Sequence, residues 1–257
     1  MAGGYLDRAL GLLGAIVRDR GERPLTEIAE GIDLPLATAH RVAQSLLDTG
    51  HLVRSRRGYY HPGPALTALQ PMLDPALIAA AVARPLLDRL AGRFACTAHL
   101  GRFDEDMVTY VLKAGRTSDT LFTKEAMQQE AYCSGLGKVL LGGLESDRLS
   151  AYLAGGPFIR LTRNTIVDEQ ELRGEIALTR SRGFAIDNRE IRDDLFCIAV
   201  PVRNSQGEVF AAISLSFTDT AMSADDCEPQ VRALQEVAAR VETCLAPAPR
   251  RARSQHP

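Results

Sequence analysis

Apolar residues recur at helical spacing from the start of the chain. Leu6, Ala9, Leu10, Leu13 and Val17 predict a first helix over 6–18. Gly21 and Pro24 end the connection behind it. Thr26 is read as the N-cap of a short helix, TEIAEGI, with Ile28 and Ala29 facing inward. Gly31-Ile32-Asp33-Leu34 has the composition of a tight turn. Pro35 suits the first turn of a third helix that runs to Thr49, and Gly50 stands where a helix C′ glycine is expected. Two short runs, HLVRS and GYYHP, flank Arg56-Arg57-Gly58 and predict a hairpin. This order within about 55 residues is that of a winged helix-turn-helix, whose third helix enters the DNA major groove.

Beyond residue 62 the pattern changes. Pro62, Pro64, Pro71 and Pro75 mark a connector that is partly helical and broken near Gln70. A helix IAAAVARPLLDRLAGRF follows, then strand-like runs ACTAHLGRF and DMVTYVLKAG joined through Asp104-Glu105-Asp106. The segment from Leu121 becomes helical after Ser134-Gly135. Helices are expected near 145–154 and 168–182, the latter with Leu172, Ile176 and Leu178 inward. FAIDNRE and FCIAVPVRNSQGEVFAAISLSFT read as strand, strand, turn, strand, with Asn204-Ser205-Gln206-Gly207 as the hairpin loop. A last helix over 225–244 carries Val231, Leu234, Val237, Ala238 and Val241. The expected organisation is a winged helix-turn-helix domain over 1–62, a linker over 63–77, an α+β sensor domain over 78–245 and a disordered Pro/Arg-rich tail over 246–257.

On the third helix, Ala39, Val42, Ala43 and Leu46 make the inward stripe. Thr38, His40, Arg41, Gln44 and Ser45 face outward, residue types that read base edges and hold phosphates. Between Thr38 and His61 the arginines 41, 54, 56 and 57 stand against one acid, Asp48. The predicted DNA-binding set is therefore Thr38, His40, Arg41, Gln44, Ser45, Arg54, Arg56 and Arg57. The whole chain of 257 residues has a formal charge of -2, so nucleic-acid contact must come from this local patch.

Other classes fall away on composition. Hydrophobic residues are 46% and charged residues 24%, an ordinary globular balance. No apolar run reaches transmembrane length, and the N-terminus lacks signal-peptide features. The five cysteines, 96, 133, 197, 227 and 244, form no Cys-x-x-Cys pair, so neither a disulfide framework nor a zinc site is indicated, and a reducing cytoplasm is the expected compartment. No cofactor, metal or membrane partner is expected.

In the order and spacing of its motifs, the chain resembles the IclR family of bacterial transcriptional regulators from about 5 to 245. The motifs are LDRALGLLGAI, PLTEIAEGIDLPLATAHRVAQSLLDTGHLVR and YYHPGPAL in the first domain. In the second they are YCSGLGKVLLGGL, RGFAIDNREI and FCIAVPVRNSQGEVFAAISLS. The resemblance implies a GAF-like effector-binding domain behind the winged helix. It also implies a homodimer or dimer of dimers on a palindromic double-stranded operator, and no catalysis; a repressor is the expected role, with the sequence itself open between repression and activation. Carried over by position, the family's effector pocket falls on Gly135, Leu136, Asp187, Leu195, Cys197, Ser214 and Ser216.

Physical chemistry points the same way. Gly135-Leu136-Gly137 opens a helix, where free amides favour an anion, and Ser214 and Ser216 share one strand face. The expected effector is a small carboxylic acid. Asp187 beside that anion must either accept from a hydroxyl or titrate high. Lys138 either neutralises the ligand or reaches water. Cys197 lines the pocket or acts as a small buried hydrophobe.

Three features depart from the family pattern: Asp194 and Phe196 replace a glycine and an arginine, Tyr132 replaces a histidine, and Leu36 and Ala37 open the recognition helix where polar residues are common. With Leu136, Leu195, Phe122, Met127 and Phe196 as walls, the acid is expected to have an apolar or aromatic body, and very polar two-carbon acids to bind weakly. The competing reading is an enzyme with Cys197 as nucleophile. It lacks a base in an evident triad pattern, because the second domain holds only one histidine, His99.

Overall fold

The computed structural model describes residues 4–115, 121–218 and 222–246. The chain divides into two compact units at Asp74/Pro75.

The first unit opens with helices α1 (Tyr5–Asp19), α2 (Leu25–Gly31) and α3 (Leu36–Asp48), then an antiparallel hairpin of β1 (Leu52–Arg56) and β2 (Tyr59–Pro62). Gly58 turns the hairpin at φ +83°, and Gly50 takes φ +71° behind α3, backbone angles that glycine adopts without strain. Leu12, Ile16, Leu25, Ile28, Ala39, Val42, Ala43, Leu52 and Tyr60 form the core. Of the expected stripe on α1, Ala9 and Leu13 pack against this core, but Leu6 and Leu10 are 67% and 59% exposed, and Val17 is exposed too. The helix carries apolar residues on two faces, and spacing alone does not say which face the core takes. Thr26 is not the N-cap of α2; Pro24 is, and no side chain caps that helix. A four-residue helix, α4 (Pro64–Thr67), and a 3₁₀ turn at Gln70–Met72 follow.

The second unit begins with α5 (Pro75–Phe94), three residues earlier than the apolar pattern suggested. It continues with β3 (Thr97–Asp104), β4 (Met107–Ala114), β5 (Gln128–Glu130), α6 (Gly135–Gly143), α7 (Ser146–Ala154), α8 (Glu169–Arg182), β6 (Ala185–Asn188), β7 (Phe196–Arg203), β8 (Val209–Phe217) and α9 (Glu228–Leu245). The six strands form one antiparallel sheet in the order β5-β4-β3-β8-β7-β6.

Alternation along the strands makes two cores. Leu100, Ile198, Val200, Ile213 and Leu215 pack against α5 and α9. Ala199 and Ala212 point to the opposite face, where α6, α7 and α8 pack. On α8, Leu172 and Ile176 are buried as expected, but Leu178 is 48% exposed and Thr179 is buried in its place. Thr179 lies seven residues from Leu172, two helical turns along the same face, whereas six residues carry Leu178 off it. The C-terminal tail from residue 247 lies outside the described residues.

Candidate effector pocket and DNA-binding face

On the inner face of β6, β7 and β8, Asp187, Cys197, Ser214 and Ser216 meet the start of α6. Ser134 caps that helix by accepting the Gly137 amide at 3.0 Å. Gly135 sits flat on the sheet: a methyl group there would lie 3.4 Å from the Ala199 Cβ and 3.7 Å from the Cys197 Cβ. The cavity so enclosed is lined by all seven residues expected from the sequence, together with Ser134 and four more: Tyr110, Leu121, Thr123 and Ile191. The cavity is tight, with room for about one water.

The polar groups in the wall are unequally satisfied. Asp187 Oδ1 accepts the Glu190 amide at 2.7 Å, while Oδ2 is buried with no hydrogen-bond partner. Burial pushes this carboxyl up to about 7; the neighbouring Glu190 carboxylate adds to the rise, and the Glu190 amide and Lys138 oppose it. Cys197 donates to Ser216 Oγ at 3.3 Å, and burial holds its thiol well above the usual range. A thiol held protonated is the opposite of an activated nucleophile.

Lys138 neither faces a ligand nor reaches water. It is 1% exposed, pairs with Glu190 at 2.5 Å and donates to the Ile186 carbonyl at 3.0 Å. Burial pushes the Glu190 carboxyl upward too.

Three of the expected walls lie elsewhere. Phe196 belongs to the core under α5 and α9, because its neighbour Cys197 takes the pocket side of the pleat. Phe122 is 37% exposed beneath the Arg192 guanidinium, and Met127 packs beside the second core. Asp194 pairs with Arg192 at 2.6 Å on the surface, and the Tyr132 hydroxyl donates to the Ile159 carbonyl at 2.6 Å. Tyr110, Leu121, Thr123 and Ile191 escaped sequence reasoning. They come from a mid-strand position and from irregular segments that carry no periodic signal.

In the first unit, α3 presents His40, Arg41, Gln44 and Ser45 to solvent, with Thr38 half-buried. The hairpin exposes Arg54, Arg56 and Arg57. Gln44 donates to Asp48 at 2.7 Å, Arg41 lies 5.8 Å from the Tyr5 ring centre, and Arg56 lies 3.7 Å over Tyr59.

Residues 5–56 match the IclR helix-turn-helix domain, and residues 75–243 match the family described as bacterial transcriptional regulator IclR C-terminal. The chain belongs to the IclR family. The HTH-type transcriptional regulator BhcR of Paracoccus denitrificans is 33% identical to it over 249 residues, spanning 94% of this chain and 87% of BhcR. The crystal structure of Thermotoga maritima IclR aligns with a TM-score of 0.62 at 26% identity, covering 93% of this chain and 98% of that one. An IclR homolog from Microbacterium hydrocarbonoxydans, solved in complex with 4-hydroxybenzoate, aligns with a TM-score of 0.61 at 26% identity, covering 94% and 99%. As an IclR-family member, the protein is a DNA-binding transcriptional regulator and not an enzyme. Among the described residues, no single helix is long and apolar enough to cross a membrane.

Proposed function

We propose that this IclR-family regulator is a cytoplasmic repressor whose hold on a palindromic operator is set by a small carboxylic acid with an apolar or aromatic body. The acid binds in the second, GAF-like domain. The observation that carries this reading is the convergence of α6, β6, β7 and β8 on one enclosed cavity in which a buried carboxylate oxygen, Asp187 Oδ2, has no partner. Amides at the start of α6 and the hydroxyl of Ser214 suit the acid group. Leu121, Leu136, Ile191 and Leu195 suit its body. The 4-hydroxybenzoate bound to a related protein is an acid of that class.

With room for about one water, the walls must part to admit such a molecule. Binding then selects an arrangement that differs from the closed one, which is what a population shift requires. The DNA partner is met by Thr38, His40, Arg41, Gln44 and Ser45 in the groove and by Arg54, Arg56 and Arg57 on the backbone. The exposed Leu6, Leu10 and Val17 of α1 favour a homodimer or dimer of dimers.

The test is thermal unfolding against aliphatic and aromatic carboxylic acids, followed by DNA-shift titration with any hit. A ligand at 100 times its Kd stabilises by about 2.7 kcal/mol. An aromatic or branched acid that raises Tm and releases DNA supports the reading. A protein that binds its upstream DNA but responds to no acid refutes the carboxylate pocket.

A further inference from the structure

His99, on β3, is 1% exposed. Its two ring nitrogens meet two hydroxyls that both line the pocket. Nε2 lies 2.9 Å from Thr123 Oγ1, and Nδ1 lies 3.4 Å from Ser216 Oγ. The ring packs against Tyr110, a third wall residue, with centroids 4.9 Å apart. Burial, helped by the Lys113 ammonium, pushes this imidazole down to about 3, so it is neutral at ordinary pH.

A neutral imidazole has one N–H and one lone pair. It therefore treats its two hydroxyl partners oppositely. One hydroxyl gives its hydrogen to the ring, and the other receives the ring's N–H and keeps its own hydrogen for a further acceptor. Ser216 Oγ accepts from the Cys197 thiol at 3.3 Å; the tautomer inferred here has it give its own hydrogen to Nδ1, one of the two directions that its remaining lone pair and hydrogen allow. Nε2–H then donates to Thr123 Oγ1. The Thr123 hydrogen has no acceptor among the described residues and is left for the cavity. Lys113 Nζ donates to the carbonyls of Leu121 at 2.8 Å and Thr123 at 2.5 Å, which holds this wall segment in place.

We propose that His99 is a positioning residue that makes Thr123, and not Ser216, the hydroxyl donor offered to a bound carboxylate. The inference rests on the effector-pocket reading above and adds Thr123 and His99 to it. The pocket is thereby polarised. An acceptor oxygen is welcomed at the Thr123 end, and Ser216 contributes shape without a free hydrogen.

The ring can be read without any ligand. In the full-length chain labelled with ¹⁵N-histidine, two-bond ¹H–¹⁵N spectra are expected to show His99 protonated at Nε2 and bare at Nδ1, unchanged between about pH 5 and about pH 8. The spectrum of His99→Gln assigns the signal. An Nδ1–H tautomer, or an imidazolium in that range, overturns the proposal.

Binding of 4-hydroxybenzoate supplies the second arm. Thr123→Val is expected to weaken it about tenfold, while Thr123→Ser and Ser216→Ala stay within about twofold. Loss in Ser216→Ala with none in Thr123→Val overturns the assignment. A wild-type chain that does not bind this acid counts against the acid-effector reading, and the tautomer then decides the role of His99 by itself.

Discussion

Lys138 and Glu190 form an ion pair inside the second unit, Nζ to Oε1 at 2.5 Å, with side chains 1% and 4% exposed. The pair ties α6 to the turn that follows β6, the turn whose amide at Glu190 also holds Asp187 in the pocket wall. Lys138→Met leaves a buried carboxylate unpaired and is expected to cost about 3–5 kcal/mol in urea unfolding. Lys138→Met combined with Glu190→Leu is expected to recover most of that loss, because no charge is then left buried alone. Equal instability of the single and double variants would show that the pair does not account for the effect.

Asp187 predicts a pH dependence with a definite sign. Its carboxyl titrates near 7 in the folded chain against an ordinary value of 3.8, so the folded state holds the extra proton between those values. The stability it contributes is present below 3.8 and is lost as pH rises through about 7. Relative to Asp187→Asn, the wild type should lose stability across this window with a slope approaching about 1.4 kcal/mol per pH unit. Parallel stability curves for the two proteins from urea titrations would contradict the assignment.

Two glycines two residues apart should behave differently. A Cβ at Gly137 would lie 2.0 Å from the Ala131 carbonyl oxygen, a backbone clash that no rotamer relieves. Gly137→Ala is expected to cost more than about 3 kcal/mol or to prevent folding. At Gly135 the nearest atoms stand at 3.4 Å and beyond, so Gly135→Ala should fold within about 1 kcal/mol of wild type. Its added methyl sits in the pocket wall, and the thermal shift with any active acid should shrink.

On the proposed DNA-binding face, reading and holding are expected to separate. Arg41→Ala is expected to lose about 1–3 kcal/mol on the specific operator. Arg56→Ala and Arg57→Ala should weaken binding to all sequences and lower the salt slope by about one each. Titrations at several salt concentrations on operator and unrelated DNA distinguish the two. Unchanged operator affinity in Arg41→Ala would remove α3 from the groove.

Much of the element order was legible because it rests on local chemistry. Gly50 and Gly58 stand at their turns, Ser134 and Asp168 begin α6 and α8, and the stripe Val231, Leu234, Val237, Ala238, Val241 is the buried face of α9. The seven expected pocket positions, carried over by position from the family resemblance, line one cavity. Local signals mislead where two faces are equally apolar. On α1 the exposed Leu6 and Leu10 read as well as the buried Leu12 and Ile16.

By itself, then, the sequence determined most of the elements and their order, because backbone geometry repeats every 2 or 3.6 residues and leaves its period in the residue pattern. Only the tertiary structure decided what meets across that order. Phe196 turned to the far core while Cys197 took the pocket, since pleat parity becomes inside or outside only once helices cover both faces of the sheet. Lys138 found Glu190 across 52 positions of chain, and His99 found Thr123 and Ser216 across 24 and 117. Buried polar groups must be partnered, and the sequence shows the need without the partner, because partners at that separation are chosen by packing and not by spacing.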